Sequence, residues 1–107
     1  MMTALPRRGR IAFYRVSEAA LPHAEALCRR WLPDGRLDGR EWVARNPRRL
    51  DHKAGSFKVN TQTGRWGDFA AGQTGGDLVS LAAYLHSMSQ RDAAIRISEM
   101  LGLNPYA

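Results

Sequence analysis

Positively charged side chains supply the clearest chemistry in this sequence. Seven of them lie between residues 40 and 65, and a tryptophan follows directly. Guanidinium groups bind phosphate oxygens through paired hydrogen bonds, and an exposed indole can stack on an unpaired base. The candidate nucleic-acid-binding residues are therefore Arg40, Arg45, Arg48, Arg49, Lys53, Lys58, Arg65 and Trp66. The alternative is a solvated basic loop beside a tryptophan that is buried in the core.

A second candidate is the glycine-rich stretch at residues 72–77, GQTGGD. Backbone amides that precede a helix can hold a phosphate. This stretch lacks the Lys-Ser/Thr pair of a P-loop, and Asp77 would place a negative charge where the phosphate would lie. A sharp turn that ends in Asp77 as a helix N-cap is the simpler interpretation.

Residues arranged for catalysis are not visible in the sequence. His23, His52 and His86 are scattered, without a carboxylate or nucleophile at a recognisable spacing. We therefore predict a non-catalytic domain without a cofactor. Cys28 is the single cysteine, so an internal disulfide is impossible and a core position is expected. Its reduced state favours a cytoplasmic protein.

The net charge of +6 is concentrated in the first part of the 107-residue chain. Residues 1–65 hold fourteen Lys or Arg and six Asp or Glu, whereas residues 66–107 hold two and four. This polarity favours a polyanionic partner, because basic groups neutralise phosphates and release counterions. Added solubility is the alternative role of the arginines. Since no apolar run approaches the ~20 residues that span a bilayer, we predict no membrane partner.

The spacing of hydrophobic residues predicts which strands and helices carry the candidate residues. Period-two alternation predicts a strand at residues 56–60. The turn at 61–64 predicts a returning strand at 65–69, and turn residues on both sides bound a further strand at 41–45. Helical spacing predicts helices at residues 17–32, 77–88 and 90–101. The caps that we expect are Ser17, Asp77 and Ser89 at the helix starts and Gly102 after the last helix. The alternative for the first helix is a start nearer Leu21, with Pro22 at its first position. Outside these elements we predict a flexible basic arm at 1–10, an extended lead-in at 11–16 and a hairpin tip at 35–39.

The stretch from the second strand to the second helix is also recognisable as a set of motifs. The motif residues are Ser56, Phe57 and Val59 in the first strand of the pair, Gly64 and Trp66 in the second, and Gly75-Gly76-Asp77 at the helix start. These motifs resemble the zinc-ribbon domain at the N-terminus of bacterial, phage and plasmid DNA primases. The resemblance covers residues 40–101 and implies a ribbon that is held by zinc.

The chain departs from that family at the metal. Where the family has its two pairs of Cys or His ligands, this sequence has Pro47 and Leu50, then Phe69 and Gly72, with His52 nearby. A structural zinc normally takes four such ligands. We therefore expect a metal-free domain whose stability comes from its core.

The expected fold class is α+β, with a small three-stranded antiparallel β-ribbon, zinc-ribbon-like, packed against two to three helices. Residues 11–107 form a single domain. The predicted core comprises Trp42, Phe57, Val59, Trp66, Phe69, Leu78, Leu81, Leu85, Ile97 and Leu101.

The resemblance also implies a function. Primase zinc ribbons help to select or hold the single-stranded template, while catalysis belongs to a separate domain. We therefore expect a module that binds nucleic acid, single-stranded DNA above all, in a primase-like replication protein of a phage, plasmid or other mobile element. The alternative is a protein-interaction module that docks on a replicative helicase or primase core through its apolar, acidic C-terminal half.

Overall fold

The structure, a computed structural model, describes residues 9–49 and 55–107. Within these ranges it is α+β, as predicted, with helical segments packed on one face of an antiparallel sheet. The helices are α1 (Phe13–Ala20), α2 (Ala24–Trp31), α3 (Leu78–His86) and α4 (Gln90–Leu101). The strands are β1 (Arg36–Asp38), β2 (Glu41–Ala44), β3 (Phe57–Asn60), β4 (Trp66–Asp68) and β5 (Gln73–Gly75). The predicted basic arm at 1–10 lies almost entirely outside the described residues.

The first helix begins earlier than predicted and bends at its middle. Ser17 is an interior residue of α1 rather than its N-cap, and a 3₁₀ turn at Leu21–His23 separates α1 from α2. Pro22 lies in that turn, because proline cannot donate the backbone hydrogen bond of a regular helix interior. The early start follows the apolar stripe, since Val16 and Ala20 are fully buried. The lead-in expected at 11–16 is extended only at Ile11, which bridges to Tyr106.

The sheet is a meander of five strands in the order β1-β2-β3-β4-β5, rather than a ribbon of three. Its central strands, β2, β3 and β4, are the three that the sequence predicts. The hairpin tip expected at 35–39 becomes β1 and a tight turn, with Gly39 at a φ of 63°. The glycine-rich stretch contributes β5. Both added strands are three-residue edge strands with mostly exposed side chains, so they lack an apolar pattern.

The core lies between the inner face of the sheet and the helices. Phe57 stacks on Trp66 and on Tyr84 of α3, with ring centroids 5.8 and 6.2 Å apart. Of the predicted core residues, Leu85 and Leu101 are half-buried against it, and the fully buried ones are Trp42, Phe57, Val59, Trp66, Leu78, Leu81 and Ile97. Phe69 was wrongly assigned to this core, because 74% of its side chain is exposed.

The last two helices begin as their N-caps predict, and α4 also ends as predicted, whereas α3 ends at His86, two residues before its predicted end. The Asp77 carboxylate accepts from the Ser80 amide, and the two residues form a capping box at the start of α3. Ser89 caps α4, and Gly102 ends it in the left-handed conformation. In the described part of the chain, no helix is both long and apolar enough to cross a membrane.

Two phenylalanines test this assignment of core and surface. We expect Phe57→Ala to lower the free energy of unfolding by about 3–5 kcal/mol, because it leaves a cavity in the aromatic stack. Phe69→Ala should lower it by less than about 1 kcal/mol, because an exposed ring loses little on truncation. Urea unfolding of both variants measures the difference. Similar losses in both would contradict the strand register described above.

Candidate nucleic-acid interface

A row of residues on the outward face of the sheet crosses all five strands; Val43 in this row is buried, and Gly67 adds no side chain. The register pairs Arg36 with Val43, Val43 with Lys58, Lys58 with Gly67 and Gly67 with Thr74. Successive side chains of a strand alternate between faces, so this row points away from the core residues and the helices. Arg36 and Thr74 are exposed at the two edges, and Lys58 is half-buried in the centre.

An exposed aromatic ring lies beside the central lysine. The Phe69 amide donates to the Ser56 carbonyl at 2.9 Å, which extends the β3–β4 pairing by one residue. Phe69 therefore lies diagonally across from Lys58, whose Nζ is 5.7 Å from the centre of the ring. With three quarters of its side chain exposed, Phe69 is a flat surface that an unpaired base can stack on.

Exposed arginines lie at both ends of this face. Arg40 and Arg65 lie at the end formed by the β1–β2 and β3–β4 turns, where the Thr61 amide donates to the Arg40 carbonyl at 2.8 Å. Arg36 begins β1 and Arg45 follows β2 at the opposite end. Among the described residues, none of these four guanidinium groups makes a side-chain hydrogen bond or ion pair.

Two acidic residues lie on the same face and limit its positive charge. Asp38 and Glu41 face each other across the β1–β2 pair, at the turn end of the sheet. Their side chains follow the same alternation as Lys58, because Glu41 pairs with Asn60 two residues further along β3. The end that carries Phe69 is therefore the more positive end of the outward face.

Two of the predicted phosphate-binding arginines hold the fold together instead. Arg48 donates to the Tyr84 carbonyl at 2.9 Å, near the end of α3, and its guanidinium lies 5.1 Å from the centre of the Tyr84 ring. The Arg49 Nε donates to the Asp68 carboxylate at 3.0 Å. Lys53, the remaining candidate of this segment, lies outside the described residues.

Trp66 is not available as a stacking surface. Only 6% of it is exposed, and its ring lies 5.0 Å from that of Tyr84. Its indole N–H donates to the Ser80 hydroxyl at 3.0 Å. Gly75 lies directly opposite in the register, and a Cβ at that position would clash with the indole nitrogen. Close packing against the indole thus explains the glycine. Of the two alternatives for Trp66, a stacking surface or a core residue, the structure shows the core residue.

The Asp68 carboxylate is the centre of a buried polar cluster at the edge of the core. Its Oδ2 accepts from Asn46 at 2.7 Å and from Arg49, and its Oδ1 accepts from the amides of Ala70 and Ala71 at 3.0 and 3.3 Å. Burial raises the pKa of this carboxyl, but these hydrogen bonds and the Arg49 cation outweigh burial and leave the pKa below its usual value. Asp68 is therefore a carboxylate at neutral pH.

This cluster connects the two segments to which the primase resemblance assigns metal ligands. Asn46 directly precedes Pro47, Arg49 follows Pro47 by two residues, and Asp68 directly precedes Phe69. Residues 9–49 and 55–107 hold no group of three or more His, Cys, Asp or Glu that could bind a metal ion. The single thiol is buried, and burial together with the charge of Glu25 raises the pKa of Cys28 to about 12, which makes it unreactive.

The sequence contains a signal that would have found Phe69. Strand residues three apart point to opposite faces, so Trp66 and Phe69 cannot both face the core. Arg36 was missed because β1 has no apolar alternation. Asn46 was missed because its role depends on Asp68, which lies 22 residues away.

The lowered pKa of Asp68 makes stability depend on pH. The carboxylate contributes stability in full above the ordinary aspartate pKa of 3.8, and this contribution is lost as the pH falls through the lower value in the folded protein. We expect Asp68→Asn to lower the free energy of unfolding at neutral pH by about 3 kcal/mol, because it breaks a buried ion pair. The acid-dependent loss of stability should shrink in the same variant.

The matched control is Asp38→Asn, which changes an exposed carboxylate in the same way. Unfolding measured by circular dichroism between about pH 1 and pH 7 covers the range over which a carboxylate with a lowered pKa becomes protonated. If Asp68→Asn and Asp38→Asn show the same stability and the same pH dependence, Asp68 is not the group that couples protonation to folding.

The same cluster predicts stability without a metal. We expect a strong chelator to leave the thermal unfolding midpoint unchanged, because hydrogen bonds join the segments that a zinc ion would otherwise join. Thermal unfolding with and without chelator measures this, beside a metal-dependent zinc finger as the positive control. Unfolding on addition of chelator would contradict the prediction.

Comparison with known proteins gives no relative from which a role for this face could be transferred. No protein-family model, curated protein or solved structure matches the chain.

Proposed function

We propose that the outward face of the sheet binds single-stranded nucleic acid, single-stranded DNA above all, as a template-recognition or accessory module of a primase-like replication protein. The observation that carries this proposal is the exposed ring of Phe69 beside the Lys58 ammonium, on a sheet face that also presents Arg36. The primase resemblance of residues 40–101 supplies the replication context.

Phosphate binding is assigned to the four arginines at the two ends of the face, Arg36, Arg40, Arg45 and Arg65. The strands between them are four residues long at most, so the two ends are about 13 Å apart. A strand of nucleic acid that crosses the sheet would meet a cation at entry, Lys58 in the middle and a cation at exit. Neutralised phosphates would release counterions, which makes binding weaken as salt increases.

The preference for a single strand follows from the aromatic ring. A base that is paired and stacked in a duplex does not offer its π-face to a protein side chain, whereas an unpaired base does. Each stacked base contributes about 1–3 kcal/mol. Phe69 takes the role that sequence analysis assigned to Trp66, and Lys58 keeps the role that it was assigned.

A fluorescence-anisotropy titration of a labelled single-stranded oligonucleotide, repeated at several salt concentrations and with duplex, tests the proposal. We expect Phe69→Ala to weaken single-strand binding about tenfold with an unchanged salt dependence, because only stacking is lost. Arg36→Glu/Arg65→Glu should weaken it further and reduce the slope of log K against log salt by about 2, one unit for each phosphate contact.

Arg30→Glu/Arg96→Glu is the matched control, because it reverses two exposed arginines on helices α2 and α4, away from this face. It should leave oligonucleotide binding within about twofold of wild type, since neither arginine contacts the strand. Binding that is absent at low salt, or that falls equally in all three variants, would refute the outward face as the site.

A further inference from the structure

We propose that a groove between α2, α3 and α4 docks an acidic amphipathic helix of a protein partner. The groove has a volume of about 540 Å³ and is open to solvent. Trp31, Ala82 and Ile97 line it as apolar side chains, one from each of the three helices. Its dimensions and composition suit the docking mode in which one face of a helix buries a few apolar anchors.

The apolar side chains of the groove are of the types that protein interfaces favour. Met100 is 43% exposed although it is large and apolar, and Met88 is half-buried beside it in the groove. Trp31 is half-buried and packs edge-on against His86, with ring centroids 5.8 Å apart. Methionine adapts its shape to different partners, and tryptophan contributes strongly to binding when it becomes buried.

The charge of the groove selects an acidic partner. Arg30 and Arg96 line it from different helices, against one acidic residue, Glu99. Within the described chain neither guanidinium makes an ion pair, although Asp92 lies one turn before Arg96 and such pairs are common in helices. Arginine is enriched in interfaces and pairs with carboxylates through two hydrogen bonds, so both side chains are available to acidic residues that flank the apolar anchors.

The helix ends near the groove do not cancel this preference. α2 ends at Trp31 and α3 ends at His86, and the carbonyl groups of a last turn repel anions. In both helices a following amide binds one of these carbonyls: Leu32 donates to Cys28 at 2.7 Å, and the Ser87 amide donates to Ala83. The two arginines carry full charges and outnumber the one acidic residue of the lining, so the groove keeps a net positive charge.

Titration with a synthetic peptide tests the proposal. The probe is a fluorescent helical peptide of about four turns, with leucines spaced i, i+4, i+7 and glutamates on both sides of them. We expect saturable binding with a dissociation constant in the micromolar range. Arg30→Glu/Arg96→Glu should weaken it at least about tenfold, because both carboxylate contacts become repulsive, and Met100→Ser should weaken it about fivefold by removing an anchor.

Two control peptides and one control variant make the result specific. A peptide with lysines in place of the glutamates, and one with serines in place of the leucines, should bind at least about tenfold more weakly. Arg36→Glu/Arg65→Glu on the sheet should leave peptide binding unchanged, although it weakens oligonucleotide binding. The proposal is overturned by absent peptide binding, by equal binding of the lysine peptide, or by loss of oligonucleotide rather than peptide binding in Arg30→Glu/Arg96→Glu.

Discussion

The buried carboxylate of Asp68 is the constraint on which the arrangement of sheet and helices depends. A buried charge is tolerated only where hydrogen bonds replace its water, and the partners of this one come from separate parts of the chain. Asn46 donates to Asp68 and also to the Tyr84 hydroxyl, both at 2.7 Å. One amide group thereby joins the end of β4, the segment after β2 and the last turn of α3. The positions of these elements are fixed together.

Strand β4 also separates the residues of the core from those of the outward face. β4 sends Trp66 and Asp68 inward, and the next outward residue after Gly67 is Phe69. Because the inward positions carry the stack and the buried charge, the outward position can hold an aromatic ring without a packing role. That arrangement gives the outward face an exposed aromatic ring beside the Lys58 ammonium.

The sequence predicted elements well where local pattern and packing agree. β3 alternates in apolar and polar residues, β2 and β4 carry apolar or aromatic residues beside turn residues, and Asp77, Ser89 and Gly102 are capping residues, so β2, β3, β4, α3 and α4 were all found. Prediction failed where contacts with residues distant in sequence decide the secondary structure. β1 and β5 are strands only because β2 and β4 supply their hydrogen bonds, and α1 starts at Phe13 because burial of Val16 outweighs a capping signal at Ser17.

The candidate site shows the same division. Lys58 and the exposed arginines at 40, 45 and 65 could be named from charge alone, and they are solvent-accessible or half-buried. Arg48 and Arg49 could not be told apart from them, because Tyr84 and Asp68 occupy these two side chains from distant positions. The surface position of Phe69 and the core position of Trp66 follow from the alternation of side chains along a strand, which is a local rule.

Both buried tryptophans of the sheet reach over a glycine to a helix. The Trp42 indole donates to the Leu32 carbonyl after α2 and packs against Gly35, as Trp66 donates to Ser80 of α3 beside Gly75. Neither glycine leaves room for a Cβ while its indole is present. Each tryptophan therefore restricts its glycine: a residue with a side chain can replace the glycine only after the indole has been lost. In sequences that share this fold, each glycine is therefore expected wherever its tryptophan is kept.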